Sequence, residues 1–281
     1  MPPLPDKLVV LTFDDGSISH LTVAGPLLKE LGFGATFFVT EGLGVAAEAT
    51  LPAEERTFMT WPEIKALEAL GGEHGLFEIG NHTKSHQDTT GLSAEDLGAQ
   101  MDLIDRRCQE SGVQKTETFC FPGYHNSQQV VDVLRDRGFK FARRGGTEPN
   151  LEQADGVYAA DAIGRPYSGP YPDWPLGSIG VPYNPALHDP LLVPTTIAGG
   201  PDMSWEDFVT ATEEARGGKA CVMTFHGTPD SNFDFLSTPA AMFERCMRYL
   251  HANEYQVIAL RDLERFGVQP SVPDASSSSR I

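Results

Sequence analysis

From Lys7 to Leu260 the chain repeats one pattern: a short, uninterrupted apolar stretch, then a helical period, then another apolar stretch. The stretches Lys7–Phe13, Ala35–Val39, Leu76–Ile79, Thr118–Phe121, Phe139–Arg143, Ala220–Phe225 and Gln256–Leu260 read as strands. Leu21–Leu31, Trp61–Leu70, Ser93 to about Glu110, Gln128–Arg137, Ser204–Arg216 and Pro239–His251 read as helices. Pro62 marks one helix start, Gly32 one helix stop, and Ser93 and Ser204 stand where N-caps belong. Strands without polar alternation, separated by helices, predict a parallel sheet covered on both faces. At 281 residues such a sheet is expected to form a closed or nearly closed barrel, with fewer than eight regular strand–helix units and hence a distorted one.

One domain, residues 1–270, accommodates all of this. Residues 145–200 break into Pro- and Gly-rich loops with short strands near Val157–Ala160 and Leu191–Thr195. Residues 271–281, ending Ser-Ser-Ser-Ser-Arg-Ile, read as a disordered tail.

Charge narrows the function. The 39 acidic against 21 basic residues give a formal net charge of -18, which argues against nucleic acid and anionic membrane surfaces as partners. No apolar run is long enough to insert in a membrane, and no leader precedes the first strand, so the expectation is a cytoplasmic chain or a trimmed exported one. The four cysteines, Cys108, Cys120, Cys221 and Cys246, lack paired spacing and read as small buried hydrophobes.

The conspicuous polar residues all follow strands. Asp14 and Asp15 end the first, His82 and His86 follow the third, Pro122-Gly-Tyr-His125 the fourth, and His226 follows Ala220–Phe225. In a barrel these positions form the C-terminal rim, where catalytic sites are built. His82 and His86 are four apart, so one helical turn would set both imidazoles on one face. Two imidazoles and a carboxylate are a common open set for zinc and similar ions. Asp-Asp-Gly and a surface His pair are each also ordinary turn or surface chemistry; their gathering on one rim gives the reading its force.

Thr12-Phe-Asp-Asp-Gly16, His82-Thr-Lys-Ser-His86 and Thr224-Phe-His226 resemble, in order and separation, successive motifs of the polysaccharide deacetylase family (NodB homology, carbohydrate esterase family 4). The resemblance implies an α/β, distorted (β/α)7-type barrel. It also implies hydrolysis of N- or O-acetyl groups on a carbohydrate by metal-activated water. Carried over by position, Asp14 is the general base and His226 the general acid. Asp15, His82 and His86 hold one divalent metal: zinc first, with cobalt, nickel or manganese as alternatives. The oxyanion donor is assigned to Gly123 or Tyr124, with His125 and Trp174 as further substrate contacts. Trp61 and Trp205 sit in first helical turns and are expected to pack; His20 and His74 receive no role.

Two departures follow. The family's third motif carries an Arg that holds the base; here Phe119-Cys-Phe-Pro-Gly-Tyr-His125 lacks it, like the branch reading Phe-x-Tyr-Pro, and Arg143 or Arg144 is the candidate replacement. An Asp orienting the acid is expected at Asp173, with Asp161 and Asp202 competing. Two other readings keep the same residues: a C–N hydrolase of a small imide or ureide, and an inactive carbohydrate-binding barrel.

Overall fold

The computed structural model describes residues 3–43, 50–52, 55–146, 179–230 and 233–270. Val157–Ala160, Asp161, Asp173, Trp174 and the 271–281 tail lie outside the described residues. Within them, nine parallel strands form one sheet: β1 (Leu8–Phe13), β2 (Ala35–Val39), β3 (Phe77–Asn81), β4 (Thr118–Cys120), β5 (Phe141–Arg144), β6 (Val193–Pro194), β7 (Ile197–Ala198), β8 (Cys221–Phe225) and β9 (Gln256–Ile258). Their order is β6-β5-β4-β3-β2-β1-β8-β7, with β9 paired to the start of β1. Six helices alternate with them: α1 (Gly25–Leu31), α2 (Trp61–Leu70), α3 (Ala94–Ser111), α4 (Gln128–Asp136), α5 (Trp205–Glu213) and α6 (Ala240–Ala252).

The ring closes through one short segment. Val193-Pro194 pairs with β5, and two residues later Ile197-Ala198 pairs with β8. Between them Thr195 N–H donates to Arg144 O (3.2 Å) and Thr196 N–H to Val222 O (2.8 Å). A single stave thus spans the gap between β5 and β8, giving the distorted α/β barrel expected from the strand count. β1 is buried along its whole length because it is covered twice. Val9, Leu11 and Phe13 face the layer shared with Leu28, Ile64 and Phe243 of the helices, whereas Leu8 and Val10 face an interior with Phe38, Phe141, Val222 and Leu260. That interior also holds a buried glutamate. Glu78 accepts from Thr36 Oγ1 (2.6 Å) and Thr118 Oγ1 (2.8 Å), which satisfies a group that burial pushes up in pKa.

Two elements depart from the sequence expectation. The helix expected over Leu21–Leu31 starts as a π-helical turn, His20–Ala24, before α1 continues to a left-handed Gly32. The strand expected at Leu191–Thr195 begins as a 3-10 turn, Pro190–Leu192, capped by Asp189, whose Oδ1 accepts from Leu191 N–H (2.8 Å). Pro190 supplies the fixed φ of a turn and no N–H for a ladder, so strand geometry starts only at Val193. Expected packing of Trp61 and Trp205 matches their contacts: Trp61 Nε1 donates to Glu41 (2.9 Å), and Trp205 lies against Phe208, Tyr249 and Arg245.

The start of α2 carries a stability prediction. Thr60 and Glu63 form a capping box, and Arg56 grips both Glu63 oxygens at 2.5 and 2.6 Å. The Arg56 hydrogen bonds hold Glu63 down at about 2, against burial. A carboxylate lowered on folding stabilises above its unfolded pKa and loses that contribution as pH falls through its folded one. Glu63→Gln is therefore expected to cost about 1 kcal/mol at pH 7 and nothing near pH 2, measured by urea denaturation at both pH values.

Candidate active site

β1 aims its even residues inward, so Asp14 continues the Leu8–Val10–Thr12 row into the barrel mouth. An extended Asp15 would face the helices instead. Its φ of 72°, followed by 73° at Gly16, turns the chain so that both carboxylates stay at the mouth. Asp14 N–H donates to Phe225 O (2.9 Å), which ties this turn to the end of β8. Thr83, His86 and Tyr124 share the left-handed φ of Asp15, so strained non-glycine backbone gathers on this rim.

His82 and His86 do converge, but not on a helical turn. Asn81 Oδ1 accepts from Thr83 N–H (3.0 Å), Thr83 Oγ1 accepts from His86 N–H (3.2 Å), and left-handed φ at Thr83 and His86 folds the segment into a compact loop. Asn and Thr side chains replace helical hydrogen bonds here, which correct the helical-turn expectation while leaving the outcome intact. His82 Nε2 lies 3.5 Å and His86 Nε2 3.3 Å from the same Asp15 Oδ1. Behind His82, its Nδ1 lies 2.8 Å from Cys120 O.

The arginine missing from the Phe119–His125 segment enters from β5. Arg143 is fully buried; its Nη2 donates to Asp14 Oδ2, its Nη1 to Thr195 Oγ1 (2.9 Å), and its guanidinium lies against the Phe38 and Tyr124 rings. Arg144, one residue on and of opposite parity, turns to Leu192 O (3.2 Å) and Gly145 O (3.1 Å) and does not approach Asp14. Burial works to raise Asp14, but the Arg143 charge and then the His82 and His226 charges outweigh it and lower its pKa. Asp15 is likewise held well below the carboxylate range, against burial, by the facing His82 ring and then by the neighbouring His226 and His86 imidazoles. Burial, followed by the charge on His82, takes His86 down to about 4 and keeps it neutral.

His226 closes the group, its Nε2 3.8 Å from Asp14 Oδ2 and 4.0 Å from Asp15 Oδ2. These residues floor a cavity of about 170 Å³ whose walls are apolar: Leu43, Phe121, Tyr124, Phe233, Phe235 and Leu236. Of the two amides expected as oxyanion donors, Tyr124 N–H is already given to Phe121 O (2.9 Å), which leaves Gly123. Gly123 lines the cavity with φ of 60°, while His125 is not among the lining residues. Asp202 is exposed in the turn before α5 and does not line the cavity. One residue given no role belongs here. His20 is fully buried with Nε2 2.9 Å from His226 O, a partner 206 positions away that no local pattern announces.

The three groups around Asp15 fit a cation. A carbonyl only accepts, so His82 Nδ1 carries a proton toward Cys120 O, which leaves Nε2 as the nitrogen that faces Asp15 and that can bind a cation once its own proton is lost. Asp15 Oδ1, buried, has no hydrogen-bond partner among the described residues. Against burial, the neighbouring Cys120 and Asp15 lift His82 well above the usual imidazole range, so the cluster favours a positive charge, which a divalent ion would supply in place of that proton. The nitrogens of His82 and His86 and an oxygen of Asp15 lie within 4.8 Å of one another, a three-ligand set with open positions. The His82–Cys120 hydrogen bond is the outer contact that such imidazole ligands use to hold their orientation.

Comparison with known proteins agrees with the fold and with the family resemblance. The family model described as polysaccharide deacetylase matches residues 2–142. A Bacillus subtilis (strain 168) protein named "Putative polysaccharide deacetylase YxkH" is 25% identical over 159 residues, covering 56% of this chain and 51% of that one, so the chain spans about half the length of this curated relative. Among solved structures, the Xyl-CE4 domain of a multidomain xylanase from the hindgut metagenome of Trinervitermes trinervoides aligns at TM-score 0.55 and 17% identity, over 96% of this chain and 95% of that one. A Bacillus anthracis family pseudoenzyme, BA3943, aligns at TM-score 0.54 and 15% identity, over 92% and 65%. At these identities the structural likeness is one of fold. With the family model covering half the sequence, the chain belongs to the polysaccharide deacetylase family.

Proposed function

We propose that this protein is a metal-dependent hydrolase that removes N- or O-acetyl groups from a carbohydrate. The observation that carries the reading is the unpartnered Asp15 Oδ1 between His82 and His86, with a second carboxylate, Asp14, held separately by Arg143. One carboxylate is spent on the cation and the other stays free for a proton.

Asp15, His82 and His86 would hold one divalent ion, zinc by its preference for mixed nitrogen and oxygen ligands, with cobalt, nickel or manganese as alternatives. When bound, such an ion acidifies water and polarises a carbonyl. Asp14, kept anionic beside Arg143, takes the proton of the attacking water. Gly123 N–H supports the developing oxyanion, worth about 3 kcal/mol for one well-placed donor. His226, 3.8 Å from Asp14, protonates the leaving amine or alkoxide. The apolar wall of Phe233, Phe235 and Leu236 suits the flat apolar face of an uncharged sugar, and the acidic chain disfavours anionic polymers.

Acetate release from acetylated chitin oligomers, peptidoglycan, acetylxylan and small imides, with metal-loaded and chelated protein, tests the reading. Metal-dependent acetate release from a carbohydrate is expected. Chelator-insensitive hydrolysis of an imide replaces it with the small C–N hydrolase, and metal binding without turnover replaces it with an inactive carbohydrate-binding barrel.

A packing prediction bears on the ligand loop. A Cβ on Gly42 would stand 2.4–2.6 Å from the Ser85 backbone, one residue before His86, and Glu41 N–H donates to Lys84 O (3.1 Å) in the same contact. Gly42→Ala is expected to weaken zinc binding about 10–100-fold, as loss of outer support for a ligand does, with the melting temperature changed by only a few degrees. A competitive chelator titration measures it.

A further inference from the structure

We propose that His20 is a positioning residue for His226, setting through a buried hydrogen bond the backbone from which that imidazole projects; the inference rests on reading His226 as the acid. The His20 ring is fully buried against Phe13 and Phe37, with centroids 5.1 and 5.6 Å away, and its Nε2 is 2.9 Å from the carbonyl oxygen of His226. The carbonyl can only accept, so Nε2 carries the hydrogen. His20 Nδ1 has no partner among the described residues, which leaves the bond to His226 O as the polar contact of this ring. An apolar ring would fill the same aromatic pocket without burying that nitrogen, so packing alone does not account for histidine here.

The surrounding contacts point the same way. Ser19 Oγ accepts from Thr228 N–H (2.8 Å) and Ser17 Oγ lies 3.0 Å from Ser19 Oγ, so the segment following Asp14-Asp15 grips the chain on the far side of His226 as well. On the near side Asp14 N–H donates to Phe225 O (2.9 Å). A Cβ on Gly227 would meet Asp230 at 2.1–2.7 Å, so this backbone has little freedom to resettle. His226 Nδ1 has no hydrogen-bond partner among the described residues. The direction of its Nε2 toward Asp14 and Asp15 is therefore set by backbone placement, and His20 and Ser19 hold that placement. The base and the acid, 212 positions apart, are kept in register by the seven residues from Asp14 to His20.

The test uses metal-loaded protein and the acetylated substrate it turns over best. His20→Phe keeps the aromatic packing and deletes the N–H; His20→Gln returns an N–H near the position of Nε2. His20→Phe is expected to lower kcat at least about tenfold, with KM within about twofold and metal content unchanged, because the substrate and metal contacts are untouched while the proton donor is misaimed. His20→Gln is expected to recover most of that loss, and His20→Phe added to His226→Ala should cause no further fall. A His20→Phe protein with kcat within twofold of the parent overturns the inference, as does a folded His20→Gln no better than His20→Phe. If His20→Phe does not fold, Ser19→Ala, which frees Thr228 N–H, must lower kcat selectively; an unchanged kcat overturns the inference equally. His226→Ala separates the two levels. Full activity in that variant removes the acid role itself, whereas an inactive His226→Ala beside an unaffected His20→Phe removes only the role of His20.

Discussion

Asp14→Asn is expected to lower kcat for acetate release by about 10²–10⁴-fold while the chain still binds one divalent ion. The size follows from the division between the two carboxylates. Asp15 Oδ1 sits between His82 and His86, whereas Asp14 faces Arg143 and His226. Removing the charge at position 14 deletes a proton acceptor and leaves the three ligand atoms where they are. Asparagine keeps the shape and can still accept from Arg143 but leaves that buried guanidinium without its counter-charge, so urea denaturation beside the kinetics separates lost chemistry from lost fold. Inductively coupled plasma metal analysis beside steady-state kinetics reads both halves. A variant that loses its metal together with its activity would move Asp14 into the ligand set, and one that keeps turnover would take the base role from it.

Arg143→Met is expected to act on both stability and rate. It strands Asp14, buried to 1% exposure, without its cation, and breaking a buried pair from one side costs about 3–5 kcal/mol. Urea denaturation should show that loss as a lower midpoint, and kcat should fall at least as far as in Asp14→Asn. The double variant Asp14→Asn/Arg143→Met is the informative one. With no stranded charge it should regain a large part of the lost stability and none of the activity. Stability lost additively in the double variant would mean that the pair is not coupled as its geometry indicates.

Much of this site was legible before any coordinates, because its residues stand just past strand ends, and strands announce themselves locally. Asp14, His82 and His226 inherit their places from β1, β3 and β8, and each strand is a visible apolar run. The route by which His86 joins them was not visible: spacing of four suggested a helical turn, while Asn81, Thr83 and two left-handed residues build a loop instead. Choosing between Arg143 and Arg144 depended on strand parity. A one-residue shift in register exchanges the inward and outward faces, and only the pairing of Arg143 with Cys120 and Val193 fixes which guanidinium enters the barrel. That Tyr124 N–H is taken up by the turn to Phe121 O, which leaves Gly123 as the candidate donor, was not visible either. His20 lay beyond sequence reasoning altogether, since its partner is a backbone carbonyl at the other end of the chain. The barrel closure was half legible: Leu191–Thr195 read as one strand, yet two short pieces on either side of Thr195-Thr196 pair with different neighbours.

The central claim is that Asp15, His82 and His86 hold an ion on which acetate release depends. Stripping the protein with a chelator and titrating zinc back while following acetate release from acetylated chitin oligomers tests it most directly. Activity should vanish on stripping, return in proportion to bound zinc, and reach its plateau at one ion per chain. Asp15→Asn should abolish both the binding and the recovery. Undiminished hydrolysis by the stripped protein, or a plateau reached with no zinc bound, would contradict the account.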